Sequence, residues 1–495
     1  MRSSACIRVP FFLCLTLLPG LFFGVPYKAQ AQTVTIPSSA DPSRVEERLS
    51  PRPPPPVSSL ELPEKKDTVS TPAPEGAGEY RFVLKEIVFD PPGVDQEYLR
   101  LLAAPWLSDR VGREISVADL YQLAADLTKA YQSDGYILSR VAIPAQEIDD
   151  GTVRLAVMQG HIAKVALSGE PVPNFPVASI VRKIETQDVL NIHDLERRLL
   201  ILDELPGVDV RAVLEPLPES EGASPEPGAV GLGIQVSRVP DQYQLSLDNY
   251  GSRYVGPWQL GARAQIAHTL PLWGVFDAAY YTSPQTTELK YLSLNERLLI
   301  SSGGLSLNAG MDYSRSEPGD VLDESDVWSR YRGMHLGLEY PVWLSRQNRL
   351  DVIGRLDINN IESTMLSAPF YDDRLRILRA GGRYMGYHGQ GETRADMTLS
   401  QGLNMLGARE AGASDLSRAQ GRSDFNKVEA NITRTQKITN RLSAKITASG
   451  QYGFAPLLSS EEFGFGGGVL GRGYDPSEIT GDSGVSAGLE FSYRL

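Results

Sequence analysis

The chain has 495 residues, with 48 Lys and Arg against 61 Asp and Glu, a net charge of −13, and two cysteines. So acidic a chain is a poor partner for nucleic-acid phosphates. Both cysteines, Cys6 and Cys14, sit in the first apolar stretch. The rest of the chain can therefore hold no disulfide, thiolate nucleophile or Cys-zinc centre.

That stretch, "MRSSACIRVPFFLCLTLLPGLFFG", starts with Arg2 and Arg8, turns apolar and leads to "AQAQ". Ala29 and Ala31 flank Gln30 as in a secretory leader, so residues 1–31 read as a signal peptide cleaved after Ala31. The apolar run is shorter than a spanning helix needs, and Pro19 and Pro26 interrupt its continuation, which argues against a retained anchor. Losing Arg2, Arg8 and Lys28 leaves 45 basic residues against 61 acidic, a charge of −16. No later apolar run is long enough for a membrane helix, so any membrane insertion must be as a β-barrel.

Residues 32–50 hold one candidate helix, "DPSRVEERL" (41–49), with Asp41 as N-cap and Pro42 at the first helical position. Residues 51–79 are Pro-rich and read as an extended linker. From residue 80 the pattern changes. "YRFVLKEIVF" alternates as a strand does, and "QEYLRLLAAPWL" suggests a short helix. Ser116 caps a longer helix, with Asp119 three residues on and Leu120, Leu123, Ala124, Leu127 and Tyr131 on one face; Gly135 stops it. Two strands come next, "SRVAIPAQEI" and "GTVRLAVMQG". The same order of strand, helix, helix, strand, strand recurs over 161–239, an internal repeat of roughly eighty residues. Each copy fits helices packed on one face of a small sheet.

From about Asp241 helical periodicity gives way to period-2 alternation. Leu442, Ala444, Ile446 and Ala448 alternate with Ser443, Lys445, Thr447 and Ser449; Val485, Ala487, Leu489, Phe491 and Tyr493 alternate with Ser486, Glu490 and Arg494. About twelve such strands of roughly ten residues can be counted, the length that crosses a bilayer tilted. A soluble sandwich would share the alternation. The strand length, the lack of helices and the export leader favour a membrane barrel with apolar residues toward lipid.

Between the last two strands stands "FGFGGGVLGRGYDPSEITGDSG" (463–484), which contains a literal G-x-G-x-x-G at Gly466, Gly468 and Gly471. A dinucleotide loop needs a helix after it and an acidic residue about twenty positions on. Here a second alternating strand comes after the loop, and Pro476 breaks any early helix. A hairpin folded back into a crowded interior is the alternative. It would use glycine for close backbone approach and one arginine as a pin.

The whole arrangement resembles the outer-membrane transporters of two-partner secretion, the TpsB or haemolysin secretion/activation family. Residues 80–160 and 161–239 look like its POTRA domains, through Gly135-Tyr136, Ser139-Arg140, Gln146, Gly151 and Gly160; residues 240–495 look like its transmembrane barrel, with Asp248, Asn249, Gly251 and Gly256 matching the first hairpin. The most specific match is the family's "GG-x-x-VRGY…GD-x-G" loop, here Gly471, Arg472, Gly473, Tyr474, Asp475, Gly481 and Asp482, with Gly471 departing from the usual Val. The resemblance implies a loop lock inside the barrel and a plug formed by the 41–49 helix. It also implies sixteen strands and a wall acid, for Arg472, on a strand beyond Leu495, so a barrel truncated at about twelve strands is expected.

The implied function is a translocator that recognises a large TpsA-type exoprotein (haemolysin, haemagglutinin or adhesin) through POTRA surfaces over 80–239 and secretes it through the barrel. The implied site is the outer membrane of a Gram-negative bacterium, with the POTRA domains in the periplasm, outer-membrane lipids and the barrel assembly machinery as further partners, and no nucleic acid. An assembly factor of the BamA type and a passive porin are the alternatives. No nucleophile elbow appears, and His161, His193, His268, His335 and His388 lack metal-ligand spacing. No enzyme activity, cofactor or metal is expected. Asp372-Asp373 and Glu461-Glu462 fall in expected loops and read as solvated charge.

Overall fold

The computed structural model describes residues 6–11, 36–44, 72–90, 96–148, 150–170, 174–217, 228–267 and 274–494. It divides into two compact units, 57–239 and a second one made of 1–56 and 240–495. The second unit begins with a six-residue strand, β1 (Cys6–Phe11), and two 3-10 turns, Ser38–Ala40 and Pro42–Arg44.

The 57–239 unit carries one topology twice. The first copy holds short β2 (Arg81–Val83), β3 (Glu86–Asp90), α1 (Gln96–Leu107), short β4 (Glu114–Ser116), α2 (Val117–Ser133), β5 (Arg140–Ala142) and β6 (Thr152–Met158). The second holds β7 (His161–Gly169), α3 (Asn174–Glu185), α4 (Ile192–Asp203), β8 (Val208–Glu215) and β9 (Ala229–Arg238). In each copy the last strand is central, parallel to the first and antiparallel to the one before it, giving the orders β3-β6-β5 and β7-β9-β8.

The α2 face read from the 3.6-residue period is the buried one. Leu120, Leu123, Ala124, Leu127 and Tyr131 pack with Phe89, Leu99, Val153 and Leu155. Burying each such leucine contributes about 1.5–3 kcal/mol. Ser116 and Asp119 close a reciprocal capping box at its start. Gly135 at its end has φ +97°, and a Cβ there would fall 2.9 Å from Asn191 Oδ1. The glycine is therefore more than a helix stop, because it also lets the two copies meet. Ile192 N–H donates to Gly135 O at 2.8 Å, and Leu190 N–H to Gly160 O at 2.7 Å.

The Pro-rich composition placed the linker as far as residue 79, but residues 74–79 are hydrogen-bonded turn. Ala77 is buried, and Ala118 N–H donates to its carbonyl at 3.2 Å. The prolines of the linker end at Pro74, and Gly76 takes the positive φ (84°) that the turn needs.

The 240–495 part is an antiparallel meander. Its wall strands are β10 (Gln242–Asp248), β11 (Gln259–Ala267), β12 (Gly274–Thr282), β13 (Lys290–Leu299), β14 (Ser306–Ser316), β15 (Trp328–Leu344), β16 (Asn348–Met365), β17 (Ala368–His388), β18 (Gly391–Gly402), β19 (Asn426–Lys437) and β20 (Leu442–Gly453). A separate hairpin, β21 (Phe463–Phe465) with β22 (Ile479–Gly481), precedes the twelfth wall strand, β23 (Gly484–Arg494). Each wall strand pairs with the next, and β1 adds to the free edge of β23, Cys6 opposite Arg494 and Phe11 opposite Leu489. Among the described residues no ladder joins β10 to β23, so closure of the wall is not seen.

Three strands run far past the expected ten or so residues: β15 has 17, β16 has 18 and β17 has 21. At ~3.3 Å per residue, 21 residues reach ~70 Å, well past a ~30 Å hydrocarbon core. The β16–β17 hairpin therefore projects beyond a bilayer. It closes on Leu366 and Ser367, both at positive φ (50° and 62°), as a tight hairpin turn requires.

The two faces of the wall differ as the alternation requires. Leu245, Met311, Leu336, Leu399, Ile432, Ile446 and Val485 are exposed on the outer face. Asp312, Asp357, Arg379 and Lys427 line the inner face, where Tyr291 Oη donates to Asp312 at 2.8 Å and Arg263 pairs with Asp277 at 2.5 Å.

Candidate functional site

The β21–β22 hairpin and its approach, residues 454–483, fold onto the inner face. Its tip is built on glycine. Gly466 has φ +126°, and a Cβ there would meet Asp475 O at 2.1 Å. Gly471 has φ +83°, and a Cβ would fall 2.9 Å from the Phe465 ring, so the valine usual in related loops could not adopt this backbone. Tyr474 N–H donates to Gly471 O at 2.9 Å and Gly467 N–H to Tyr474 O at 3.1 Å, and the Tyr474 and Phe465 rings stand 5.8 Å apart. Gly473 and Gly481 make no comparably close approach.

The charged residues of the motif do not converge on one point. Arg472 pairs through Nη2 with Glu490 on β23, while its Nε donates to Gly468 O at 3.2 Å. Asp475 accepts Arg253 Nε at 2.7 Å, from the loop after β10. Asp482 pairs with Arg418 of the 403–425 loop and accepts Leu457 N–H at 2.9 Å. The hairpin is thus tied to the last strand, to the loop after the first strand and to a far-end loop. Within the given residues Arg472 meets Glu490, whose position in the alternation of β23 turns it inward toward the hairpin. One prong of the guanidinium meets this carboxylate and another meets backbone, rather than both prongs meeting one acid.

Two carboxylate pairs read as solvated are corrected by the structure. Glu461 is buried and bridges two wall cations, accepting Arg379 Nη2 at 2.8 Å and Lys427 Nζ at 2.9 Å. Arg379 also contacts Asp357 at 2.6 Å and Ser400 Oγ at 2.7 Å. Glu462 pairs with Arg418 at 3.0 Å. Asp373 is buried, accepting Ser417 N–H at 3.0 Å, while Asp372 is a surface partner of Arg374 at 2.7 Å. The reason is topological. The 454–462 segment turns into the lumen, so Glu461 and Glu462 meet cations instead of water, whereas Asp372 and Asp373 lie on β17 itself, Asp373 facing the lumen beneath Ser417 and Asp372 on the other face.

The N-terminal segment also reaches this site. Arg44 is buried, donating Nη2 to Ser459 O at 2.6 Å and to Glu462 O at 2.8 Å. Ser252 Oγ donates to Ser39 O at 2.7 Å, and Ile36 packs on Tyr331, Ile361 and Tyr371. Asp41 accepts Ser43 N–H at 2.9 Å at the head of the Pro42–Arg44 turn. The expected 41–49 helix is a 3-10 turn as far as Arg44; the remainder, 45–50, lies outside the described residues. A cavity of about 380 Å³ remains among Arg355, Asp357, Arg379, Lys427, Glu429 and Glu461. Sequence reasoning missed Arg44, Arg253, Arg379, Arg418, Lys427 and Glu461. The strand alternation signalled that Arg379 and Lys427 face inward, but nothing in it named their partners.

Comparison with known proteins places these features. The POTRA domain model of ShlB type matches residues 84–160, and the model of the haemolysin secretion/activation protein ShlB/FhaC/HecB matches residues 230–495. The chain belongs to the ShlB/FhaC/HecB family. It is 21% identical over 410 residues to a heme/hemopexin transporter protein, HuxB, of Haemophilus influenzae, covering 81% of this chain and 70% of that one. It is 24% identical over 383 residues to the outer membrane transporter CdiB of Dickeya dadantii, covering 75% of this chain and 65% of that one. The solved structure of CdiB from Escherichia coli superposes with a TM-score of 0.71 at 18% identity, covering 92% of this chain and 81% of the other, which shows the shared fold. The chain is thus an outer-membrane transporter of two-partner secretion, with its POTRA part in the periplasm and its family's cargo a partner exoprotein. The family is one of transporters rather than enzymes.

Proposed function

We propose that residues 80–239 capture an unfolded TpsA-type exoprotein in the periplasm and that the 240–495 wall, set in outer-membrane lipid, passes it outward along the polar inner face. The observation that carries this reading is the reversed wall, apolar outside and charged inside, with the Arg472 hairpin folded within. Leader removal after Ala31 belongs to the same reading; it would take β1 with it and leave a mature chain free of cysteine. Insertion by the barrel assembly machinery completes the proposal. The open strand edges β7 and β8, with Leu167 and Val213 exposed, suit addition of an extended cargo segment as a further strand.

The hairpin acts as a lock in this scheme. Arg472, Tyr474, Asp475 and Asp482 hold Gly471, Gly473 and Gly481 in a fixed backbone path inside the lumen. Arg472→Ala is expected to abolish appearance of the partner exoprotein in the medium while outer-membrane levels of the transporter stay normal. Secretion at the unmutated level would sink the assignment.

A further inference from the structure

The loop between β18 and β19, residues 403–425, sits at the end where β10 finishes, opposite the end where the chain enters the wall. With the POTRA part periplasmic, that is the exit end. The loop does not simply project from it. Leu416 and Phe425 are buried in one apolar cluster with Leu375 and Ile377 of β17 and with Leu457 and Leu458 of the approach to the hairpin. Leu375 and Ile377 share the face of Arg379, so they point into the lumen, where much of the wall presents polar side chains. An apolar patch facing a wet interior is unfavourable unless something covers it, and here this loop does.

The cover is also fastened by polar contacts. Ser417 N–H donates to Asp373 Oδ1 at 3.0 Å, Ser459 N–H to Ser417 Oγ at 3.1 Å and Arg422 N–H to Pro456 O at 3.0 Å. Arg418 Nη1 reaches Leu457 O at 2.7 Å and Glu462 Oε1 at 3.0 Å and pairs with Asp482, the acid that closes the hairpin motif. One guanidinium thus joins the loop to both strands of the hairpin stem.

We propose that residues 403–425 are a cap on the exit end of the lumen, latched to the arginine-bearing hairpin by Arg418, and that the latch opens before anything leaves. This rests on the lumen being the route of export. Arg418 is a positioning residue, acting through the hairpin and not on cargo.

The test needs no cargo. The purified full-length transporter is placed in planar lipid bilayers and its potassium chloride conductance recorded. Arg418→Ala is expected to lengthen and multiply open events, and Arg418→Lys to fall between that variant and the unmutated protein. A Leu416→Cys/Leu458→Cys pair is expected to open less when oxidised than when reduced, the reduced state also showing that the variant folds. If Arg418→Ala records match those of the unmutated protein, or the oxidised pair opens as often as the reduced one, the cap is overturned. Because the readout is ionic, that failure leaves the export reading standing; the export reading fails instead if deleting the transporter leaves the partner exoprotein in the medium at its usual level.

Discussion

In the tandem modules apolar side chains point inward: Leu99, Leu120 and Leu155 are fully buried. In the strand wall Leu245 and Val485 are 83% and 79% exposed, while the side chains of Asp357 and Lys427 are 4% and 5% exposed. Both regions obey the same local rules of periodicity. What differs is the medium each was selected to face, water around the modules and lipid around the wall. A charge is therefore cheap on one surface and costly on the other. Stability accordingly comes from different sources. The modules rest on a hydrophobic core, whereas the wall rests on its backbone ladder and on ion pairs that hold the lumen contents in register.

The sharpest way to break this contrast is to remove the cation at the centre of the lumen network. Arg379→Ala would leave Asp357 and Glu461 facing each other without their shared guanidinium. Removing one partner of a buried pair costs about 3–5 kcal/mol. The expected outcome is loss of the heat-modifiable folded band on gels at a temperature where the unmutated protein keeps it. An unchanged band would mean that the inner ion pairs are incidental.

A second variant pair tests the two faces of one strand. Ile432→Lys puts an ammonium on the outer face of β19 and should cost about 2–4 kcal/mol near the bilayer midplane. Asn431→Lys, one residue away, points inward beside Asp396, which Asn431 Nδ2 already contacts at 2.9 Å. It should change stability by well under about 1 kcal/mol. Equal effects in urea titrations of the reconstituted protein would erase the distinction between the faces.

The modules should respond to acid in a way the wall does not share. The Ser116 backbone N–H and hydroxyl hold the Asp119 carboxyl below its ordinary value. A depressed folded pKa means a contribution fully present above the unfolded value near 4 and lost as pH falls through the folded value. Asp119→Ala is expected to cost ~1 kcal/mol at neutral pH, and Asp119→Asn to flatten the acid limb of module unfolding followed by circular dichroism. An acid limb identical in Asp119→Asn would show that the capping box carries none of the pH dependence.

Much of the architecture could be read from the chain because it depends on local periodicity. The α2 face, its capping box and the twelve alternating strands each require only neighbours in sequence. The arginine motif was legible too, but its partners were not. Glu490, Arg253 and Arg418 lie 18, 222 and 64 residues from the acids or arginine they meet. No periodic rule links positions brought together by a loop turning into a lumen. The same gap explains why Glu461 read as solvated charge: its burial results from the inward turn of residues 454–462, which short polar loop sequence does not announce.

The central claim is that one face of each wall strand meets lipid and the other meets water. Single cysteines placed from position 428 to 433 in β19 of the mature chain, labelled in native outer membranes, test it most directly. The account predicts that positions 429, 431 and 433 react with a membrane-impermeant maleimide, while 428, 430 and 432 resist it and instead carry fluorophores quenched by a lipid-phase quencher. Uniform aqueous reactivity at all six positions would contradict it.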